Sequence, residues 1–359
     1  MTPFATPVVV IGVGARTAVG MTAPATAAAI RAGVAGFAKH PFAVDTAGNR
    51  MIIAAAPYLG PDVAGSDRLA ELAIPAAVEA VSAVAAARGR KPPVSVYIGL
   101  PPVRPGRGED LPTVVLSRIR AELAAACPVA RIEAIETGHA AGAMAVKAAW
   151  EAIRAGTTEF ALAGGVDSYF EAQTLEWMEE NDQVHSAGPD NNAYGFIPGE
   201  GAGFVLLGSE AAARRYELRA ALELPIAQAA RETKLLNTDS VCLGEGLIGL
   251  FRALSAGLPS GEQVDHFYCD MNGERYRANE FGFAAIRAGK LFKDPSAFTT
   301  PADCWGDVGA ASGPLFLVLA EAASRKGYAP GPLSAAFTSA ESGERCGFVA
   351  RSRAAQGVW

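Results

Sequence analysis

Two stretches of this chain open a small-residue helix in the same way, and that repetition constrains its fold more than any other feature. In the first, Gly138-His139-Ala140-Ala141-Gly142 closes a short apolar run and leads into the Ala-rich pattern Ala140 to Ala155. In the second, Gly306-Asp307-Val308-Gly309-Ala310-Ala311-Ser312-Gly313 leads into the apolar pattern Pro314 to Ala323. Each places a polar side chain one residue past a glycine, and the small residues beyond let a helix lie close against another backbone. A strand-like run follows each helix, Phe160 to Ala163 in one case and Leu333 to Thr338 in the other. The chain therefore reads as two halves on one plan, 1–215 and 216–359.

Around these helices, strand and helix patterns alternate. The run Pro7 to Val13 is β-branched and ends in glycines, which predicts a buried strand. Further strands are predicted at Val94–Leu100, Ile132–Ile135, Gly203–Leu207 and Val264–Cys269, and helices at Arg68–Ala87 and Leu247–Leu258. Such alternation implies βαβ units and a mostly parallel sheet.

Charge excludes several partners. The net charge of −6 argues against nucleic acid or an anionic membrane. No apolar run approaches the ~18 residues a membrane span needs. The N-terminus lacks a basic region and reads as a first strand rather than a signal peptide. Half the residues are hydrophobic and 19% charged, which points to a buried oligomer interface. The five cysteines, Cys127, Cys242, Cys269, Cys304 and Cys346, show no Cys-x-x-Cys spacing and read as buried thiols of a reducing, cytoplasmic setting. No cofactor is expected: Gly12-x-Gly14 is similar to a dinucleotide turn, but Thr17 stands where the third glycine belongs.

Taken in order, several motifs resemble the β-ketoacyl-acyl-carrier-protein synthases of the thiolase superfamily. They are Val8 to Gly14, Gly20, Glu136 to Gly142, Leu162-Ala163-Gly164-Gly165-Val166-Asp167, and Gly199-Glu200-Gly201-Ala202-Gly203. The resemblance implies an α/β, thiolase-like fold: two pseudo-symmetric βαβ halves forming a five-layer αβαβα sandwich, with two buried helices between two sheets. It also implies a dimer paired through the Ile132–Ile135 strand. Glu200 reads as a structural carboxylate bonding loop amides.

The chemistry departs from the family. Where the family carries its acyl-bearing cysteine this chain has His139, and its two histidines match Asn272 and Asp307. The family lysine matches Ala302, and the loop gating the acyl pocket matches Ser339 to Gly343, which makes Ser339 and Glu341 candidate pocket residues. A condensing enzyme needs a thiolate activated at a helix N-terminus and polar groups that hold the thioester oxyanion. The expected function is therefore an acyl-thioester-binding or partner-regulating pseudo-synthase, similar to a chain-length factor. The expected partners are a second copy or a related synthase, with acyl carrier protein or acyl-CoA as ligand. The alternative is altered chemistry, in which His139, oriented by Asp307, assists hydrolysis or acyl transfer; an active 3-oxoacyl synthase ranks last. His139, Asp307 and Glu341 also form a metal-type donor set, but from distant segments, so no metal is expected. Arg104 and Arg107, in a Pro/Gly-rich loop expected to be solvated, are candidates to meet an acidic carrier. His40, His185 and His266 read as surface, loop or packing residues.

Overall fold

The computed structural model describes residues 6–87, 91–185, 192–235 and 240–353. The first half runs β1 (Val8–Thr17), α1 (Ala23–Arg31), the two-stranded ribbon β2 (Ala38–Val44) and β3 (Arg50–Ile53), α2 (Gly65–Ala85), β4 (Val94–Gly99), α3 (Leu111–Leu123), β5 (Val129–Ile135), α4 (Ala141–Arg154), β6 (Phe160–Ser168), α5 (Ala172–Glu180), β7 (Glu200–Ser209) and α6 (Glu210–Arg215). The second runs β8 (Leu222–Arg231), α7 (Glu245–Ala256), β9 (His266–Cys269), α8 (Arg275–Ala288), β10 (Phe298–Thr299), α9 (Ala302–Trp305), α10 (Ser312–Arg325), β11 (Leu333–Ser339) and β12 (Glu344–Ser352).

The repeat is explicit in the strand order. The first half is β1-β7-β6-β4-β5 and the second β8-β12-β11-β9-β10. The two sets meet where β1 and β8 pair, Val9 opposite Glu223 and Val10 opposite Leu222. Neither set is mostly parallel, contrary to the sequence expectation. In each, two pairings are parallel (β4 with β5 and β6, β9 with β10 and β11) and two are antiparallel. The reason is that the last strand of each half runs opposite to the others, β12 through a short turn after β11 and β7 through α5 and the segment that follows it, so each makes both of its pairings antiparallel.

Five layers follow from where apolar residues point. Leu72, Ala76, Ala80 and Val84 of α2 and Ile119 of α3 cover the outer face of the first set, against Val96, Ile98, Phe160 and Phe204. Leu247, Phe251 and Phe281 of α7 and α8 cover the outer face of the second, against Phe267, Phe337 and Val349. Between the inner faces lie α4 and α10, whose Ala143, Val146, Leu315 and Leu319 share one core with Val205, Ala336 and Phe348. Both helices are buried on two sides, which only small residues permit. A Cβ on Gly142 would overlap the carbonyl oxygen of Ala310 and the ring of Pro314.

Each central helix is entered by one 3-10 turn, Gly138–Ala140 before α4 and Gly309–Ala311 before α10. Gly138 and Gly309 have φ of 62° and 48°, a conformation that favours glycine in both halves. This sets the true register of the repeat. The counterpart of His139 is Ala310, and Asp307 stands two residues before its turn rather than at the helix start. The sequence pairing of Gly138-His139 with Gly306-Asp307 was displaced by three residues. Both Gly-polar pairs nevertheless face the same space.

Candidate active site

His139 sits in the turn before α4, at the end of the parallel strand β5, and is 6% exposed. Asp307 reaches it from the segment between α9 and α10. The imidazole Nε2 lies 2.9 and 3.0 Å from the two Asp307 carboxylate oxygens, so Nε2–H donates to Asp307. Asn272, in the loop after β9, donates Nδ2–H to Asp307 Oδ2 at 2.6 Å. The Gly309 backbone N–H donates to Oδ1 at 2.7 Å. His139, Asn272 and Asp307, assembled from three distant segments, thus form one hydrogen-bonded unit.

Burial disfavours the His139 imidazolium, but the Asp307 carboxylate and its hydrogen bond outweigh it, so the pKa is raised. Burial likewise disfavours the Asp307 carboxylate, yet His139, Arg277 and the Gly309 amide hold its pKa well below the usual carboxylate range. Both shifts favour the imidazolium–carboxylate form of the pair over its neutral form. Nδ1 is left without a protein partner among the described residues, while the Tyr169 hydroxyl lies 3.5 Å from Nε2.

Behind the pair a second layer closes the site. Asn272 accepts from the Glu274 N–H and donates to its carboxylate. Arg277 donates to Glu274 at 2.9 Å, to Asp270 at 2.9 Å and to the Ser339 carbonyl at 2.8 Å. Burial pushes Glu274 up despite Arg277. Ser339, the last residue of β11, meets this layer through its backbone, its N–H donating to Asp270. It does not line the cavity in front of His139.

That cavity has a volume of about 230 Å³. His139, Tyr169, Asp167 and Arg104 line it, with Trp177, Met178, Phe196, Gln183, Glu341 and Ser342 completing the wall. Glu341, expected from sequence, is there; Asn272 lies behind Asp307 instead. Asp167 and Tyr169 were legible only as the tail of the Gly164-Gly165 strand, β6, whose C-terminal end opens on the site. Phe196 stands at the start of the stretch that leads into Gly199-Glu200-Gly201, while Trp177, Met178 and Gln183 carry no motif.

Two further expectations are corrected. The loop arginines do not face solvent: Arg104 is bonded to Asp167 (2.6 Å) and the Ser168 carbonyl (2.7 Å) and lies 4.3 Å over the Tyr169 ring, and Arg107 pairs with Glu136. Both have side chains 6% exposed, because the loop turns inward over the site. Neither offers an unpaired surface charge to a carrier. His40 is fully buried, bonded to the Phe170 carbonyl at 2.9 Å and accepting from the Ala43 N–H. The positive end of α10 is not open to a ligand either, since Asp307 takes Gly309 N–H and Asp167 takes Ala310 N–H.

Glu200 is structural, with more partners than expected. It accepts from the Ala56 N–H, binds Arg68 through both oxygens at 2.7 Å and accepts from the Ser168 hydroxyl. Among the described residues, donor atoms within metal-binding reach of one another occur at Glu232, Cys242 and Glu280, away from His139. There Glu280 is paired with Arg345 and Glu232 is engaged by backbone amides. None of the five cysteines lines the cavity. Four are buried, and burial pushes the Cys346 thiol up to about 12.

Comparison with known proteins agrees with this geometry. Residues 118–213, which include β5, His139 and α4, match the family described as β-ketoacyl synthase, N-terminal domain. No curated protein matches the sequence. Among solved structures, a type II polyketide ketosynthase, in the complex of AntDE with its acyl-carrier protein AntF, superposes with a TM-score of 0.80 at 18% identity, covering 97% of this chain and 100% of that one. The ishigamide ketosynthase/chain length factor gives 0.79 at 18% identity, covering 97% and 100%. The ketosynthase from module 6 of the bacillaene synthase of Bacillus subtilis 168 gives 0.76 at 13% identity, covering 97% and 72%. The chain thus matches the β-ketoacyl synthase N-terminal domain across its candidate site and shares the fold of solved ketosynthases along nearly its whole length.

Proposed function

We propose that this chain is an acyl-thioester-binding or partner-regulating relative of the ketosynthases that does not carry out their condensation. The observation that carries the reading is the closed His139–Asp307 pair at the start of α4, in a cavity that no cysteine lines. Condensation needs a nucleophile that holds the acyl chain covalently. A histidine whose Nε2 is held by a buried carboxylate that favours its protonated form suits a hydrogen-bond donor better than a nucleophile. Through Nδ1–H it suits a thioester carbonyl oxygen, which it polarises without attacking. The fold neighbours include a ketosynthase held with its acyl-carrier protein and a ketosynthase/chain length factor, which supports a carrier protein or a related synthase as partner.

The same pair supports a second reading, hydrolysis or acyl transfer with His139 and Asp307 as the acid–base unit and water as nucleophile. Its raised pKa disfavours His139 as a base at neutral pH, which ranks this reading second. Intact-protein mass spectrometry after incubation with malonyl- and acyl-carrier protein, with thioester release followed in parallel, separates the readings. The expected result is an unmodified chain and no release above the carrier's own rate. A stable acyl adduct or a condensation product would overturn the proposal, and release that disappears in His139→Ala would establish the second reading.

A further inference from the structure

One buried donor beside the cavity has no acceptor. Tyr169 is 4% exposed and lines the space in front of His139. Its hydroxyl lies 3.5 Å from His139 Nε2, but that nitrogen directs its proton at the Asp307 oxygens and has no lone pair to accept with. No other acceptor meets the Tyr169 O–H among the described residues. Burial and the Asp307 and Asp167 carboxylates push this phenol well above its usual range, so the proton stays on oxygen. The ring that carries it is held in place: Arg104 lies 4.3 Å over one face, and Phe196 meets it edge-on at 5.8 Å. Gly309 leaves the hydroxyl its room, since a Cβ there would come within 3.0 Å of it. A buried donor without an acceptor is costly, and one beside a cavity is satisfied when a bound molecule supplies the acceptor.

The charges around the cavity balance. Arg104 and His139 stand against Asp167 and Glu341, two of each sign, so no net charge calls for a charged ligand. The carboxylates are also engaged: Asp167 accepts from Arg104 and from the Ser168 and Ala310 amides, and Glu341 accepts from Gln183 and feels the His139 charge. The groups left over are donors, Tyr169 O–H and His139 Nδ1–H. Nδ1 and Nε2 share one five-membered ring, so Nδ1 stands no more than a ring's width beyond the 3.5 Å contact with Tyr169. We propose that Tyr169 is a positioning residue, its hydroxyl donating to an acceptor oxygen of a neutral molecule held in the cavity beside the His139 imidazole. This rests on reading the cavity as a thioester site, whose carbonyl is such an acceptor, and adds the residue that orients it.

The test compares two N-acetylcysteamine derivatives by calorimetry at pH 7: the S-butanoyl thioester and the S-butyl thioether, which lacks the carbonyl oxygen. The parent is expected to bind the thioester about tenfold tighter than the thioether. Tyr169→Phe keeps the ring against Arg104 and Phe196. It is expected to weaken thioester binding about three- to tenfold, the size of one hydrogen bond, and to leave thioether binding unchanged. Its melting temperature is expected to equal or exceed that of the parent, because the hydroxyl it removes has no partner in the free protein. Equal binding of the two ligands by the parent, unchanged thioester affinity in Tyr169→Phe, or a loss shared by both ligands would overturn the role of Tyr169 while leaving thioester binding intact. A clear fall in melting temperature would do the same, by showing that the hydroxyl is already bonded. Binding of neither ligand by the parent would overturn both readings.

Discussion

At the scale of single residues, the site is governed by one buried ion pair. Asp307 is 4% exposed and His139 6%. Removing one partner of such a pair strands the other, at a cost of about 3–5 kcal/mol, whereas replacing both costs much less. Asp307→Asn is therefore expected to lower unfolding free energy by about 3 kcal/mol in urea titrations. A His139→Gln, Asp307→Asn double variant should be less destabilised than the sum of the two single ones. The pH dependence follows from the shifts. His139 is raised on folding, so its contribution is complete below the ordinary imidazole pKa and is lost as pH climbs through the raised value. Asp307 is depressed, so its contribution holds above the ordinary carboxylate pKa and is lost as pH falls through the depressed value. Urea midpoints measured upward from pH 7 are expected to fall more steeply in the parent than in His139→Gln; parallel curves would show that the pair is not ionised. The sequence supplied the three residues but not their bonding. His139, Asn272 and Asp307 stood out because they occupy motif positions, while Trp177 and Gln183 reach the cavity from a segment with no motif.

At the scale of elements, the central helices decide how glycine behaves. Glycine in an exposed helix interior costs up to about 1 kcal/mol relative to alanine. Gly282 of α8 has open space where a Cβ would go, so Gly282→Ala is expected to stabilise by about 0.5–1 kcal/mol. Gly142 of α4 has the Ala310 carbonyl there, so the same substitution is expected to destabilise by about 1–3 kcal/mol despite the better propensity. Chemical denaturation of the two variants checks the contrast, and a stabilised Gly142→Ala would mean that α4 and α10 are not in contact. Existence and type were readable for the central helices α4 and α10, the long helices α2 and α7 and the buried strands, because periodicity reports burial directly; α1, the β2–β3 ribbon, α3, α5, β8, α8 and β12 were not read. The strand directions were not. Alternation of β and α suggests parallel pairing, and nothing local marks β6 and β7 as an antiparallel neighbour pair.

At the scale of the whole molecule, the two sheet edges differ. β10 is two residues long and ends its side of the sheet bluntly. β5 has seven residues, pairs only with β4, and is half-exposed along most of its length. An open edge of that length invites pairing with another chain. A two-chain assembly is expected by light scattering at micromolar concentration, either with a second copy or with a co-expressed ketosynthase; a single-chain mass under both conditions would retire the interface. The sequence by itself determined the doubled plan, the small-residue helices and the histidine, with no thiol, at the α4 turn, because each is written in local pattern and residue identity. Only the tertiary structure decided that Asp307 pairs with His139 from outside the helix repeat and that Arg104 turns inward onto Asp167. These are relations between segments more than sixty residues apart, and their energies come from burial and distance, which no stretch of sequence encodes alone.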